Sequence, residues 1–378
     1  MAISLVTDCE SIHKMANDLA AQGRQVRIME ICGTHTMSIA RSGLRSILPP
    51  SLKLVSGPGC PVCVTDQSYM DQAVYLARGG AIDPDGKDAP QKFDPPIIAT
   101  YGDMVRVPGR AGSLVDARAM GARIEIVYSA EQAVDLAIRT PDKQVVFLGV
   151  GFETTAPATA LSILRAEAEG VRNYQVLAAH KLVLPVMHAL LAAGDVRVDG
   201  FLCPGHVSVI LGYKAYDEIS RKYGRPCVVA GFDPRQVVLG IVEILNQIRD
   251  GRSESCTVYP TVSAGGNPTA MQVLERVFEV GDAAWRAVGT VPASGLLLRE
   301  RFAQFDAAKR FALPDMPSYE LPGCRCGDVI CGRCSPFDCK LFARRCTPRD
   351  PVGPCMVSSE GACAAAYKYE RHGLTVVS

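Results

Sequence analysis

The stretch 26–36, VRIMEICGTHT, reads as a short apolar strand, Val26–Ile31, running straight into a polar loop that carries a glycine, Cys32-Gly33-Thr34-His35-Thr36. An apolar run without strict alternation is the mark of a strand covered on both faces, as in a parallel sheet. The same grammar recurs along the chain. Leu52–Val55 ends in GPGCPVC (57–63), Ile97–Thr100 in Tyr101-Gly102-Asp103, and Val145–Val150 in GFETT (151–155). Gln175–Ala178 ends in Ala179-His180-Lys181, Phe201–Leu202 in CPGH (203–206), and Val228–Ala230 in GFDP (231–234). Arg123–Val127 is one further strand. A helix over 9–22 precedes the series, and helical stretches near 66–78, 130–138, 156–169, 183–193 and 235–249 separate the strands.

Repeated strand, polar loop and helix with right-handed crossovers build parallel α/β sheets. The reactive residues fall at the carboxyl ends of the strands, where open α/β sheets bind their ligands. The expected fold is therefore α/β: two parallel-sheet lobes facing a cleft, followed by a cysteine-rich region. The boundaries read from the sequence are 1–135 for a lobe holding Cys32, Cys60 and Cys63, 136–255 for a second lobe, and 256–378 for a helical and cysteine-rich end. Within these, 81–96 is an Asp/Pro-rich loop, 251–268 a linker, and 270–312 helical.

The chain has 378 residues, is 48% hydrophobic and 21% charged, and carries a formal net charge of +1. Nothing in that balance asks for a nucleic-acid or membrane partner. The first residues lack a basic start followed by an apolar segment, and no run approaches the ~18 apolar residues of a membrane span, so the expected address is cytoplasmic. In a reducing compartment fifteen cysteines point to metal ligation or thiol redox chemistry rather than a disulfide framework. Eight of them lie in 324–363, CRCGDVICGRCSPFDCKLFARRCTPRDPVGPCMVSSEGAC. Thiolates at that density form disulfides, close a zinc site or hold an iron–sulfur cluster.

Individual motifs carry both functional and plain readings. Cys60-Pro-Val-Cys63 follows a strand, and two sulfurs separated by two residues suit a redox disulfide or a soft metal site. Cys32 ends a strand, as many core cysteines do, yet Gly33 lets backbone approach a ligand and His35 stands near enough to act as base, donor or orienter. Glu153, with Thr154 and Thr155, either caps a helix or binds a ligand. His180 and His206 are core histidines or donors to an anionic ligand. Cys9, Cys203, Cys227 and Cys256 are assigned to packing.

Taken together, MEICGTHTM, GPGCPVCV, GFETTAP, CPGHVS and CTPRDPVGPCMVSSEGACAAAYKYE closely resemble the HypD family of [NiFe]-hydrogenase maturation proteins, over about residues 25–370. The resemblance implies two α/β domains, a third region with a [4Fe-4S] cluster, and a scaffold role. With the small protein HypC, iron would acquire two cyanides, donated through HypE, and one carbon monoxide. The Fe(CN)2CO unit would then pass to the hydrogenase large subunit. By matching motif, Cys32 becomes the iron ligand and Cys60 with Cys63 the dithiol beside it, with His35 in the same block. Six C-terminal cysteines match the family pattern: Cys324, Cys326, Cys339, Cys346, Cys355 and Cys363. Because an all-cysteine cube takes four, Cys324, Cys339, Cys346 and Cys363 are assigned to it, and Cys326 with Cys355 to a redox pair. The argument is that Cys324 and Cys326, one residue apart in an extended segment, point to opposite sides; Cys326 and Cys355 as ligands is the alternative. Cys331 and Cys334 stand where the family usually has other residues and inherit no ligand role. A dithiol joined to a cluster suggests a redox relay. A stand-alone iron–sulfur-dependent thiol–disulfide oxidoreductase and a structural zinc protein are the competing readings, and Cys32 as a metal anchor separates the scaffold from the reductase.

Overall fold

In the computed structural model, which describes residues 2–371, eleven strands form three sheets. They are β1 Val26–Glu30, β2 Leu52–Ser56, β3 Ile97–Thr100, β4 Ile124–Ile126, β5 Val145–Gly151, β6 Tyr174–His180, β7 Gly200–Pro204, β8 Cys227–Ala230, β9 Ser255–Thr257, β10 Phe278–Trp285 and β11 Gly289–Leu298. Two sheets are wholly parallel, ordered β2-β1-β7-β8-β9 and β4-β3-β5-β6. The α/β class is as the sequence indicates. Every residue of β3, β5, β7 and β8 is buried, which accounts for their unbroken apolar runs.

The strands do not divide at residue 135. β7 and β8 come back to β1, while β3 and β4 lie with β5 and β6, so the sheets interleave along the chain instead of following one another. The stretch 251–268 contributes the edge strand β9, hydrogen-bonded to β8, and is not a bare linker. The helical expectation for 270–312 holds for Pro268–Val277 and for short turns at Glu300–Phe305 and Ala307–Arg310. Between them β10 and β11 form an antiparallel hairpin.

Strand order decides where the chemistry sits. In the first sheet the chain leaves β1 for β2 on one side and later returns to β7 on the other; in the second it leaves β3 for β4 and returns to β5. Such switch points open a crevice at the carboxyl ends of the two diverging strands. Cys32 and His206 follow β1 and β7; Asp103 and Phe152–Thr155 follow β3 and β5. Among the described residues no helix is long and apolar enough to cross a membrane.

Candidate functional site

A cavity of about 300 Å³ is lined by loops from both switch points, among them Cys32, Thr34, Gly59, Phe152, Thr155 and His206, together with Glu360 from the cysteine-rich end. Cys32 is extended and immediately precedes helix Gly33–Arg41. The glycines on either side of the contact are steric requirements. A Cβ on Gly59 would stand 2.1 Å from Cys32 N, and one on Gly33 would stand 2.5 Å from Glu360 Cβ. Gly33 N–H donates to Gly59 O at 3.1 Å, so the Cys32 and Cys60 loops press backbone to backbone. Burial, reinforced by the Glu360 carboxylate, pushes the Cys32 thiol up to about 12, against the N–H groups of His35 and Thr34 and the Thr34 side chain. Thr34 Oγ1 donates to Glu360 Oε1 at 2.6 Å. A metal ion bound here would have to displace that proton.

Beside it, Cys60 and Cys63 are joined in a disulfide across the single helical turn Pro61–Val64. Cys63 N–H donates to Cys60 Sγ at 3.1 Å. Ser358 Oγ lies 3.4 Å from the same sulfur and donates to Asp103 Oδ2 at 3.1 Å. This turn also packs against the short helices Cys326–Ile330 and Pro354–Val357. Arg286, buried at the tip of the β10–β11 hairpin, donates from Nε to Cys63 O at 2.9 Å and from an Nη to Thr65 O at 2.8 Å.

Of the other sequence-derived residues, His206 reaches the cavity, its exposed ring resting 4.1 Å from that of Phe232. His35, Glu153 and His180 do not line it. His35 Nε2 bonds the carbonyls of Ala230 and Gly231 at 3.2 and 3.0 Å, tying the Cys32 helix to the end of β8. Burial lowers it to about 4 and His180 to about 3, so both rings are neutral near pH 7. His180 bonds Thr159 Oγ1 at 3.1 Å and packs on Phe278. Glu153 Oε1 accepts from Val183 N–H at 2.9 Å, capping helix Val183–Ala193, while its Oε2 has no partner. Burial raises this carboxyl to about 7. Sequence reasoning missed Thr34, Asp103, Arg286, Ser358 and Glu360 as site residues. YGD at the end of β3 was the available signal for Asp103.

At the cysteine-rich end, Cys324, Cys326, Cys339, Cys346, Cys355 and Cys363 line one small space of about 10 Å³, with Leu341, Phe342 and Met356 as apolar walls. Cys331 and Cys334 do not face it. The expectation that Cys324 and Cys326 point to opposite sides fails because the segment is not extended. Helix Cys326–Ile330 starts between them, and Cys326 N–H turns back to Cys324 Sγ at 3.4 Å. Cys326 and Cys355 stand with their sulfurs 2.7 Å apart. Among the described residues no three donors are set at metal-ligating geometry. In chemistry the set nevertheless fits an iron–sulfur cluster: thiols only, in apolar surroundings, and more of them than the four required.

The HypD profile, described as the hydrogenase formation hypA family, matches residues 7–370. The chain belongs to the HypD family. Hydrogenase maturation factor HypD of Azotobacter vinelandii is 43% identical over 98% of this chain and 97% of its own length. The HypD of Cupriavidus necator is 43% identical over 93% and 92%, and that of Escherichia coli K12 40% identical over 92% and 90%. Likeness to HypD proteins thus covers the interleaved sheets and the cysteine-rich end alike.

Proposed function

We propose that the chain is a hydrogenase maturation factor on which an iron ion bound by Cys32 receives cyanide and carbon monoxide, giving an Fe(CN)2CO unit for a [NiFe] active site. A HypC-type protein would share the iron, a HypE-type protein would donate cyanide, and the hydrogenase large subunit would receive the product. The observation that carries this reading is the Cys32 thiol at the switch-point cavity, where two loops and Glu360 shield it from bulk water. Soft thiolate suits low-spin iron with cyanide and carbonyl ligands. His206 and Thr34, on the cavity wall, supply polar groups toward bound ligands.

Cys324, Cys339, Cys346 and Cys363 would hold a [4Fe-4S] cluster, which supplies single electrons when bound. This leaves Cys326 and Cys355 as a pair packed beside the Cys60–Cys63 turn. That adjacency also favours the second reading, a thiol–disulfide oxidoreductase acting on a protein, in which Cys32 would have no task. Complementation distinguishes the two. In cells lacking their own HypD, the wild-type chain should restore hydrogenase activity and Cys32→Ala should not. Restoration by Cys32→Ala would reject the scaffold.

A further inference from the structure

Within the reading of Cys60–Cys63 as a working dithiol, its two sulfurs have unequal surroundings. Cys60 Sγ receives the Cys63 N–H at 3.1 Å and faces the Ser358 hydroxyl at 3.4 Å. Cys63 is fully buried, and its carbonyl rather than its sulfur is held by Arg286. Ser358 is itself 1% exposed, and its oxygen is fixed from a third side by Glu360 N–H at 3.2 Å. Its proton goes to Asp103 Oδ2, on which Ser359 N–H and Oγ–H, each at 2.8 Å, also converge. Asp103 and Ser359 reach the surface, so the line Cys60, Ser358, Asp103 runs from a buried sulfur to solvent.

We infer that Cys60 is the leaving sulfur when this disulfide opens, and that Ser358, held by Asp103, is the hydroxyl that stabilises its developing charge. A thiolate attacks Cys63 Sγ, which is buried and is reached only as the single turn Pro61–Val64 opens; a bond forms between the attacker and Cys63 as the Cys60–Cys63 bond breaks, and the electron pair departs on Cys60. A disulfide sulfur is a poor acceptor, so the hydroxyl rests on Asp103; once negative charge develops on Cys60 it turns to the sulfur, as a hydroxyl rotor can. The Ser358 hydroxyl keeps its own proton and donates a hydrogen bond to the Cys60 thiolate, which is then protonated from water. The better-stabilised thiolate leaves faster, and which sulfur is attacked fixes the direction of exchange. Ser358 acts on the reacting atom; Asp103 is a positioning residue.

The test opens the disulfide of the full-length protein with 2-mercaptoethanol and quenches with iodoacetamide. Fragment mass spectra of the peptide spanning Cys60 and Cys63 then show which sulfur carries which group. The expected product has the carbamidomethyl group on Cys60 and mercaptoethanol on Cys63. Ser358→Ala should slow opening by about tenfold, as loss of a hydrogen bond to a charged group does, and Ser358→Thr, which keeps the hydroxyl, should restore it. Carbamidomethyl on Cys63, an even split, or an unchanged rate in Ser358→Ala overturns the assignment. Should Ser358→Ala fail to fold, the labelling pattern of the wild-type chain decides alone. Hydrogenase maturation that survives Cys60→Ser would remove the dithiol from the pathway and leave this labelling result unaffected.

Discussion

Single side chains at the strand ends take up their roles according to burial. Glu153 sits at the end of β5 with one oxygen on a helix N-terminus and the other without a partner, and desolvation holds its carboxyl near 7. The folded-state value lies above the ordinary 4.5. Stability from the protonated form is therefore complete below about pH 4.5 and is lost as pH rises through about 7. Glu153→Gln keeps the oxygen that caps Val183 and removes the titration. Urea unfolding of both chains should show the variant gaining on wild type by roughly 3 kcal/mol over that window; a difference that does not change with pH would contradict the buried-carboxyl account. The same scale sorts the cysteines. Serine at Cys331 or Cys334, which do not face the thiol-lined space, should leave the reduced cluster's EPR signal in place, whereas serine at Cys339 or Cys346 should abolish it. Types and loops at this scale were legible: Cys32, Cys60, Cys63 and His206 were readable as strand-end residues. Thr34 and Glu360 were not, because 326 residues separate them and no local pattern announces a hydrogen bond between them.

Among the elements, the β10–β11 hairpin contributes most that the sequence concealed. Its turn carries Ala287 at a φ of 62° where asparagine or glycine would signal a tight reversal. The preceding stretch, DAAW, also suits a helix as well as a strand. The hairpin is secured from outside instead. Trp285 is buried and donates to Ser294 Oγ at 2.8 Å, and Thr65 bridges to Trp285. Arg286 then reaches over to the carbonyls that flank the disulfide turn. Arg286→Ala should leave those two buried carbonyls without their charged donor and cost roughly 3 kcal/mol. A urea midpoint within error of wild type would show that the hairpin tip is not what fixes the Cys60–Cys63 turn.

For the whole molecule, the interleaved strand order makes the site. Because β1 and β7 belong to one sheet and β3 and β5 to the other, loops distant in sequence meet where Cys32 stands, and the cysteine-rich end closes the wall with Glu360. The α/β class was legible from apolar runs ending in polar loops, but strand order was not, since each parallel strand carries the same unbroken apolar pattern and nothing local names its neighbour. The division at 135 failed for that reason. The dithiol depends on the same assembly, its turn lining the cavity through Pro61 and packing on the helices of Cys326 and Cys355. Cys60→Ser or Cys63→Ser should give a folded protein, by circular dichroism, that no longer supports hydrogenase maturation. Normal activity from either variant would remove the pair from the mechanism. The claim that Cys32 anchors the iron is tested most directly by infrared spectroscopy of the protein purified without oxygen together with its HypC-type partner. Wild type should show cyanide and carbonyl stretches, and Cys32→Ala should lose them while keeping the iron–sulfur signal; bands that persist in Cys32→Ala would contradict it.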